Sequence, residues 1–404
     1  MNAKHFRFAA LVAVAASALV LSAARQESAR SDGRYGLWVE DRRDTMVVHW
    51  LTADSSAGYL RASTESGDEE FKTGSAISHT ARFKRPSGKS VRLSFGSNEP
   101  ATRDSVTVYL QLPPRQPIVT GVDSLYILGD THGEFAAAVR ILQATKLIDS
   151  NLRWTGGRKH LVFDGDLTDR GPDVIRLLWF VYELERQAAA AGGQVHVVLG
   201  NHETMVWMND LRYVNPKELA IAQAYGVPYN KLLDTRESVL GSWLATKPAV
   251  LRIDDVLFAH GGVATDWLDY TPKALDDSLA KFIGERLLDA WADSTVAVKF
   301  DSAAYARREE FFLSPNSVFW YRSYVQGDTL GKALDRVLKR FDAKLHVVGH
   351  TPTALVHQKY DGKLLVSHPR SFAGEMILLV RNKKEWARFR VLADGTVTAL
   401  PFAN

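Results

Sequence analysis

The chain has 404 residues, of which 46% are hydrophobic, 24% charged and none cysteine, and its formal net charge is +4. That length suits two or three domains. The lack of cysteine excludes disulfides, thiolate zinc sites, cysteine nucleophiles and a lipid anchor on an N-terminal cysteine. The charge is too small for a nucleic-acid-binding field, and falls to 4 − 2 = +2 once Lys4 and Arg7 leave with the N-terminal segment.

Lys4, His5 and Arg7 open the chain, an Ala/Val/Leu run extends as far as Leu21, and Ser22, Ala23 and Ala24 close it. This is the pattern of a signal peptide over residues 1–24, cut after Ala24. The apolar run is shorter than the ~20 residues of a spanning helix. The mature chain is therefore expected to be exported, periplasmic or secreted, with no membrane anchor. Residues 33–112 read as all-β: Met46, Val48 and Trp50 alternate, as do Val106, Val108 and Leu110, and runs at 58–61 and 90–95 are separated by Gly, Ser, Asn and Asp. That spacing predicts a small β-sandwich. Pro113, Pro114 and Pro117 make 113–123 a stiff linker.

From residue 124 to 404 the fold class is α/β, because apolar strands alternate with helices. Strands are predicted at 125–128, 160–163, 195–199, 256–259 and 345–348. A helix is predicted to open at Pro172 with Asp173 beside it, to run through Leu184, and to stop at Gly192-Gly193. Segments 203–250 and 264–340, rich in Trp, Tyr and Leu, read as helical caps inserted between strands. Residues 362–400 return to short strands, expected to form a second sheet layered on the first.

The turn at the end of each strand carries the chemistry. The first strand runs into Gly129-Asp130-Thr131-His132-Gly133, the second into Asp164-Gly165-Asp166-Leu167-Thr168-Asp169-Arg170-Gly171, the third into Gly200-Asn201-His202-Glu203. The last two run into His260-Gly261-Gly262 and Gly349-His350-Thr351-Pro352. Each alone is an ordinary surface turn. Five in a row place potential ligands past strand C-termini, the edge where α/β sheets bind ligands. Among the other histidines, His160, His196 and His346 read as core or edge residues, and His357 and His368 fit no motif.

The set GD-x-HG, GD-x-x-DRG, GNHE, HGG and GHT resembles the phosphoprotein phosphatase family of binuclear, calcineurin-like metallophosphoesterases. Residues 205–214 (MVWMNDLRYV) and 317–323 (SVFWYRS) resemble its Shewanella-like protein phosphatase branch. The likeness spans 124–369. The β domain lies outside it and is similar in pattern to the fibronectin-like domain preceding purple acid phosphatase domains, although the ligand motifs are not of that kind. The resemblance implies a metallophosphoesterase-type layered β-sheet core flanked by helices. It also implies two divalent metal ions, Mn²⁺ ahead of Fe or Zn²⁺, on a nitrogen and oxygen donor set. Asp166 would bridge them, Asp130 and His132 would complete one site, and Asn201, His260 and His350 the other.

The activity so implied is hydrolysis of phosphate monoesters, on phosphorylated protein, peptide or small phosphoester, by in-line attack of a hydroxide activated between the metals. His202 would be the general acid, oriented by Asp169. Arg170 and Arg322 would clamp phosphate oxygens, and Asn201 would also contact the phosphate. A bis-nucleoside polyphosphate or phosphodiester hydrolase of the same superfamily is the alternative chemistry, and an inactive exported binding or adhesion protein the alternative of another class. No ligand position of the motifs is lost, which speaks against the last.

Overall fold

The computed structural model describes residues 36–284 and 302–403, so the expected signal peptide lies outside the described residues. Among the described residues two compact units emerge: 36–112 with 170–179 and 211–242, and 113–169 with 180–210, 243–284 and 302–403. These divide the chain differently from the linear boundaries expected, because part of the segment read as a cap groups with the β region.

In the first unit five strands, β1 (Trp38–Asp41), β2 (Thr45–Thr64), β3 (Gly67–Lys84), β4 (Ser90–Ser97) and β5 (Asp104–Tyr109), form one antiparallel sheet ordered β1-β2-β4-β5, with β3 also on β2. The expected small β domain is present, but its strands share one hydrogen-bonded sheet where a sandwich has two. The reason is the 20-residue β2, which the polar run at 53–57 does not break. The register shifts between Leu51 and Ser56 and again between Ala57 and Tyr59. Such bulges bend a strand without ending it. Its first half pairs with β1 and its second with β4, while β3 runs along the other side.

Met46, Val48 and Trp50 are fully buried as their alternation predicted, yet Val47 and Leu51 are buried too. Within the same unit the 211–242 segment covers the β1 side of the sheet, with Asp41 N–H donating to Glu237 O at 2.7 Å and Tyr225 Oη–H donating to Gly36 O. A covered edge offers no template for association.

The second unit has two six-stranded mixed sheets. One is ordered β17-β16-β15-β7-β8-β9, from β7 (Ser124–Leu128), β8 (His160–Asp164), β9 (Gln194–Val198), β15 (Glu375–Asn382), β16 (Glu385–Leu392) and β17 (Val397–Ala399). The other is ordered β13-β14-β12-β11-β10-β6. Its members are β6 (Ile118–Val119), β10 (Leu251–Ile253), β11 (Val256–Phe258), β12 (Leu345–Val348), β13 (His357–Lys359) and β14 (Leu364–Val366). The sheets are layered as expected, but the C-terminal strands join both of them rather than making a second sheet of their own.

Leu125, Ile127, Ile377 and Leu379 of one sheet share a buried core with Leu251, Ile253, Val256, Phe258, Val347 and Leu365 of the other. Side chains alternate across a strand, so every second residue faces this core. The topology then places the chemistry. β7, β8 and β9 are mutually parallel, and so are β11, β12 and β14. Parallel strands carry their C-terminal ends to a common edge, where the connecting turns gather.

Candidate active site

Asp130, His132, Asp166, Asn201, His202, His260 and His350 come together at that edge, each at most 4% exposed. Asp166 stands at the centre. Its Oδ2 lies 3.0 Å from His260 Nε2, 3.6 Å from His132 Nε2 and 3.9 Å from His202 Nε2. Donor atoms of His132, Asp166 and His202 lie within 4.8 Å of one another, as do those of Asp166, His260 and His350. Two groups of metal-binding character thus share one carboxylate.

The backbone makes this possible at some cost. His132, Asp166 and His350 have φ of 44°, 53° and 59°, a left-handed conformation that non-glycine residues adopt rarely and that gathers at functional sites. A Cβ on Gly200 would stand 2.1 Å from Asp166 Oδ1. Only glycine there lets the third turn close on the shared carboxylate.

Each imidazole is aimed by its other nitrogen. His132 Nδ1 donates to Thr168 O at 2.8 Å and His260 Nδ1 to Asp164 O at 2.7 Å. A carbonyl only accepts, so Nδ1 carries a proton in both rings and Nε2 is the atom turned to the site. Glu203 accepts from the backbone N–H of Asp166, Leu167, Thr168 and Gly200 at 2.7–3.0 Å, and ties the second turn to the third. His350 N–H donates to Asp130 Oδ1 at 3.1 Å and ties the fifth to the first.

Burial pushes the Asp130 carboxyl up, but His368 and His260 outweigh it and bring it to about 2. Burial acts likewise on Asp166, and the imidazoles of His260, His202 and His132 hold it well below the usual carboxylate range. Burial lowers His260, yet Asp166 and Asp130 lift it to about 10. Burial above all takes His132 down to about 4 and raises Asp164 to about 7. The carboxylates demand positive charge, and here a proton on His260 answers it.

Asp130 Oδ2, Asn201 Oδ1, His260 Nε2 and His350 Nε2 are buried with no hydrogen-bond partner. Leaving such an atom unmet costs about 1–3 kcal/mol. Divalent cations would satisfy all four, so the donor set fits them.

His202 differs from the other rings. Its Nδ1 lies 2.7 Å from Asp169 Oδ2, and its backbone N–H donates to Asp166 Oδ1 at 3.0 Å. A carboxylate behind Nδ1 fixes the tautomer and leaves Nε2 toward the site. Arg322, at the start of the short helix Ser323–Gln326, donates to His350 O at 3.0 Å. Arg170 falls in the first unit, exposed, with its guanidinium 5.0 Å from the Tyr213 ring centroid.

The motifs alone do not reveal His368, whose Nδ1 lies 2.7 Å from Asp130 Oδ2. The signal was spacing. β7, β8, β11, β12 and β14 end at Leu128, Asp164, Phe258, Val348 and Val366, and Asp130, Asp166, His260, His350 and His368 each stand two residues further on. Residues 367–368 lack the neighbouring glycine that marked the other turns.

The calcineurin-like phosphoesterase family model matches residues 124–354, more than half of the chain. The chain belongs to that family. It is a hydrolase of the metallophosphoesterase kind, for which divalent metal ions are the implied cofactors. Shewanella-like protein phosphatase 2 of Arabidopsis thaliana is 26% identical over 50% of this chain and 58% of its own length. A symmetrical bis(5'-nucleosyl)-tetraphosphatase of Methylococcus capsulatus is 29% identical over 36% of this chain and 45% of its own. The solved cold-active protein-tyrosine phosphatase of a psychrophilic Shewanella species is 28% identical with a TM-score of 0.69, covering 91% of this chain and 99% of that one.

The resemblance to the Shewanella-like branch is borne out, and its extent is corrected. A likeness over 91% of the chain exceeds the span from residue 124 to the end, so it takes in the N-terminal β region as well.

Proposed function

We propose that this metallophosphoesterase hydrolyses phosphate monoesters, with phosphoproteins or phosphopeptides (Ser/Thr or Tyr) as substrates. The observation that carries the reading is Asp166 shared by two buried donor groups, one of which includes His202, itself backed by Asp169. Asp130, His132 and Asp166 would hold one cation, and Asp166, Asn201, His260 and His350 the other. Bound there, two divalent ions, Mn²⁺ first, supply a water of lowered pKa and a grip on phosphate oxygens.

The chain's own residues do the rest. His202 Nε2 gives its proton to the departing oxygen as the phosphorus–oxygen bond breaks. Asp169 accepts from Nδ1 throughout and stabilises the charged ring. Arg322 pairs with non-bridging oxygens, its guanidinium fork matching phosphate. Arg170, next in sequence to Asp169, is assigned a second such contact on its motif alone.

A panel of aryl phosphate, phosphotyrosyl peptide, phosphoseryl peptide and bis-nucleoside tetraphosphate, assayed with added Mn²⁺, tests the substrate class. Highest kcat/KM on a phosphopeptide supports the reading. A strong preference for the dinucleotide overturns it in favour of an anhydride hydrolase, the chemistry named for the Methylococcus relative. We also propose that residues 1–24 export the chain. An N-terminus beginning at Arg25 on protein from the periplasm or medium supports this, and an intact Met1 in the cytoplasm refutes it.

A further inference from the structure

We propose that His368 is a ligand of the first cation, through Nδ1, alongside Asp130, His132 and Asp166. The inference rests on the two-metal reading of the site and adds a residue that the family motifs do not contain.

Three turns on each sheet converge on the site. β7, β8 and β9 deliver Asp130, Asp166 and Asn201, while β11, β12 and β14 deliver His260, His350 and His368. His368, two residues past the end of β14, repeats the spacing of Asp130, Asp166, His260 and His350. His368 is 4% exposed, and its Nδ1 stands 2.7 Å from Asp130 Oδ2. The contact is that of an ion pair, and Nε2 of the ring has no partner. An imidazole nitrogen and a carboxylate oxygen this close also have the disposition of neighbours on one ion. At a metal–ligand distance of about 2.1 Å and a right angle, they would stand about 3 Å apart. His260 Nε2 and Asp166 Oδ2 show the same relation at 3.0 Å, again with the imidazole nitrogen unpartnered.

The segment is also built to hold that position. A Cβ on Gly129 would lie 2.2 Å from Ser367 O, so the residue before Asp130 is glycine because the His368 segment passes against it. Ser367 Oγ lies 2.9 Å from Asp164 Oδ2 and 3.0 Å from Val348 O. Thr353 donates to His368 O from its N–H at 3.0 Å and its hydroxyl at 3.1 Å. Phe372 stacks on the His368 ring at 5.6 Å and meets His132 edge-on at 5.0 Å, which keeps both rings turned inward. Phe372 and Ala373 reach this placement with φ of 28° and 48°, strain that the surrounding contacts must overcome. With His368 included, each cation has four protein ligands, Asp166 being common to both.

The test is binding of Mn²⁺ alone to chelator-stripped full chain, measured as metal per chain by equilibrium dialysis. Wild type is expected to bind two. His368→Ala and His368→Gln are both expected to keep one with wild-type affinity. The other should weaken by more than about 100-fold, beyond the 10–100-fold seen when only an outer hydrogen-bond partner of a ligand is lost. Unchanged melting of the stripped variants checks that the fold survives.

Two tight Mn²⁺ in either variant overturns the proposal. So does a loss in His368→Ala that His368→Gln restores, since an amide can orient Asp130 but replaces an imidazole ligand poorly. A wild type that binds no Mn²⁺ would sink the two-metal reading itself, which keeps the two failures apart.

Discussion

Imidazoles cluster at two places along β8 and β9. Past the C-terminal ends His132, His202, His260 and His350 surround Asp166, while at the start of β8 His160 meets His196 of β9, Nδ1 to Nε2 at 2.9 Å. His132 and His202 follow strands of the sheet that holds His160 and His196, while His260 and His350 follow strands of the other. In the first cluster, carboxylates face the rings, and His260 is lifted to about 10 despite its burial. In the second, burial, with His160 and Lys247 adding to it, takes His196 down to about 3. A buried imidazole is by default a neutral hydrogen-bonding group. What makes it ready for a cation is the acid placed opposite, and the turns after β7, β8 and β9 place acids past the C-terminal ends.

The sharpest way to break this contrast is to remove the central acid. Asp166→Asn should lower turnover by about 10³-fold or more, the upper range for loss of one preorganised charge, and should release metal on dialysis. Near-normal kcat with two metals retained would refute the sharing of Asp166.

Next comes His202. His202→Asn should slow alkyl phosphates by about 10²–10⁴-fold, the range of general acid catalysis, and aryl phosphates with good leaving groups far less. Equal losses on both would show that the ring does not protonate the leaving oxygen.

The other histidine pair should behave in the opposite way. His160→Ala strands His196 and should cost about 1–3 kcal/mol of stability, read by denaturant unfolding, with kcat and metal content unchanged. Lost metal would mean that the two clusters are coupled.

The smallest effect is a pH dependence. His196 has a folded pKa of about 3 against an ordinary value of 6.5. The unfolded chain therefore binds the extra proton first, and the stability this group confers is present above pH 6.5 and is lost as pH falls toward 3. His196→Gln keeps an acceptor for the His160 ring without the titration. The stability gap between variant and wild type should shift in favour of the variant between pH 6.5 and 4.5. A gap that does not change with pH would refute the linkage.

Much of this was legible in the residues. The runs at 125–128, 160–163 and 345–348 are strands to within a residue at either end, because unbroken apolar runs bounded by Gly and Asp suit strands buried on both faces. The ligand turns stood out because glycine recurs beside an acid, amide or imidazole in all five. The β2–β3 hairpin did not stand out, since Ala53-Asp54-Ser55-Ser56-Ala57 has the composition of a break and becomes a bulged stretch of strand only through pairing with its neighbours. His368 escaped for a related reason. Its turn borrows the needed close approach from Gly129, more than two hundred residues away, and not from a glycine of its own.

By itself the sequence determined the donor types, their order and their place just past strand ends, because those arise from local periodicity and turn chemistry. Only the tertiary structure decided which donors meet. That depends on how parallel strands are ordered within two sheets and on backbones passing within contact distance, a long-range matter on which spacing along the chain is silent.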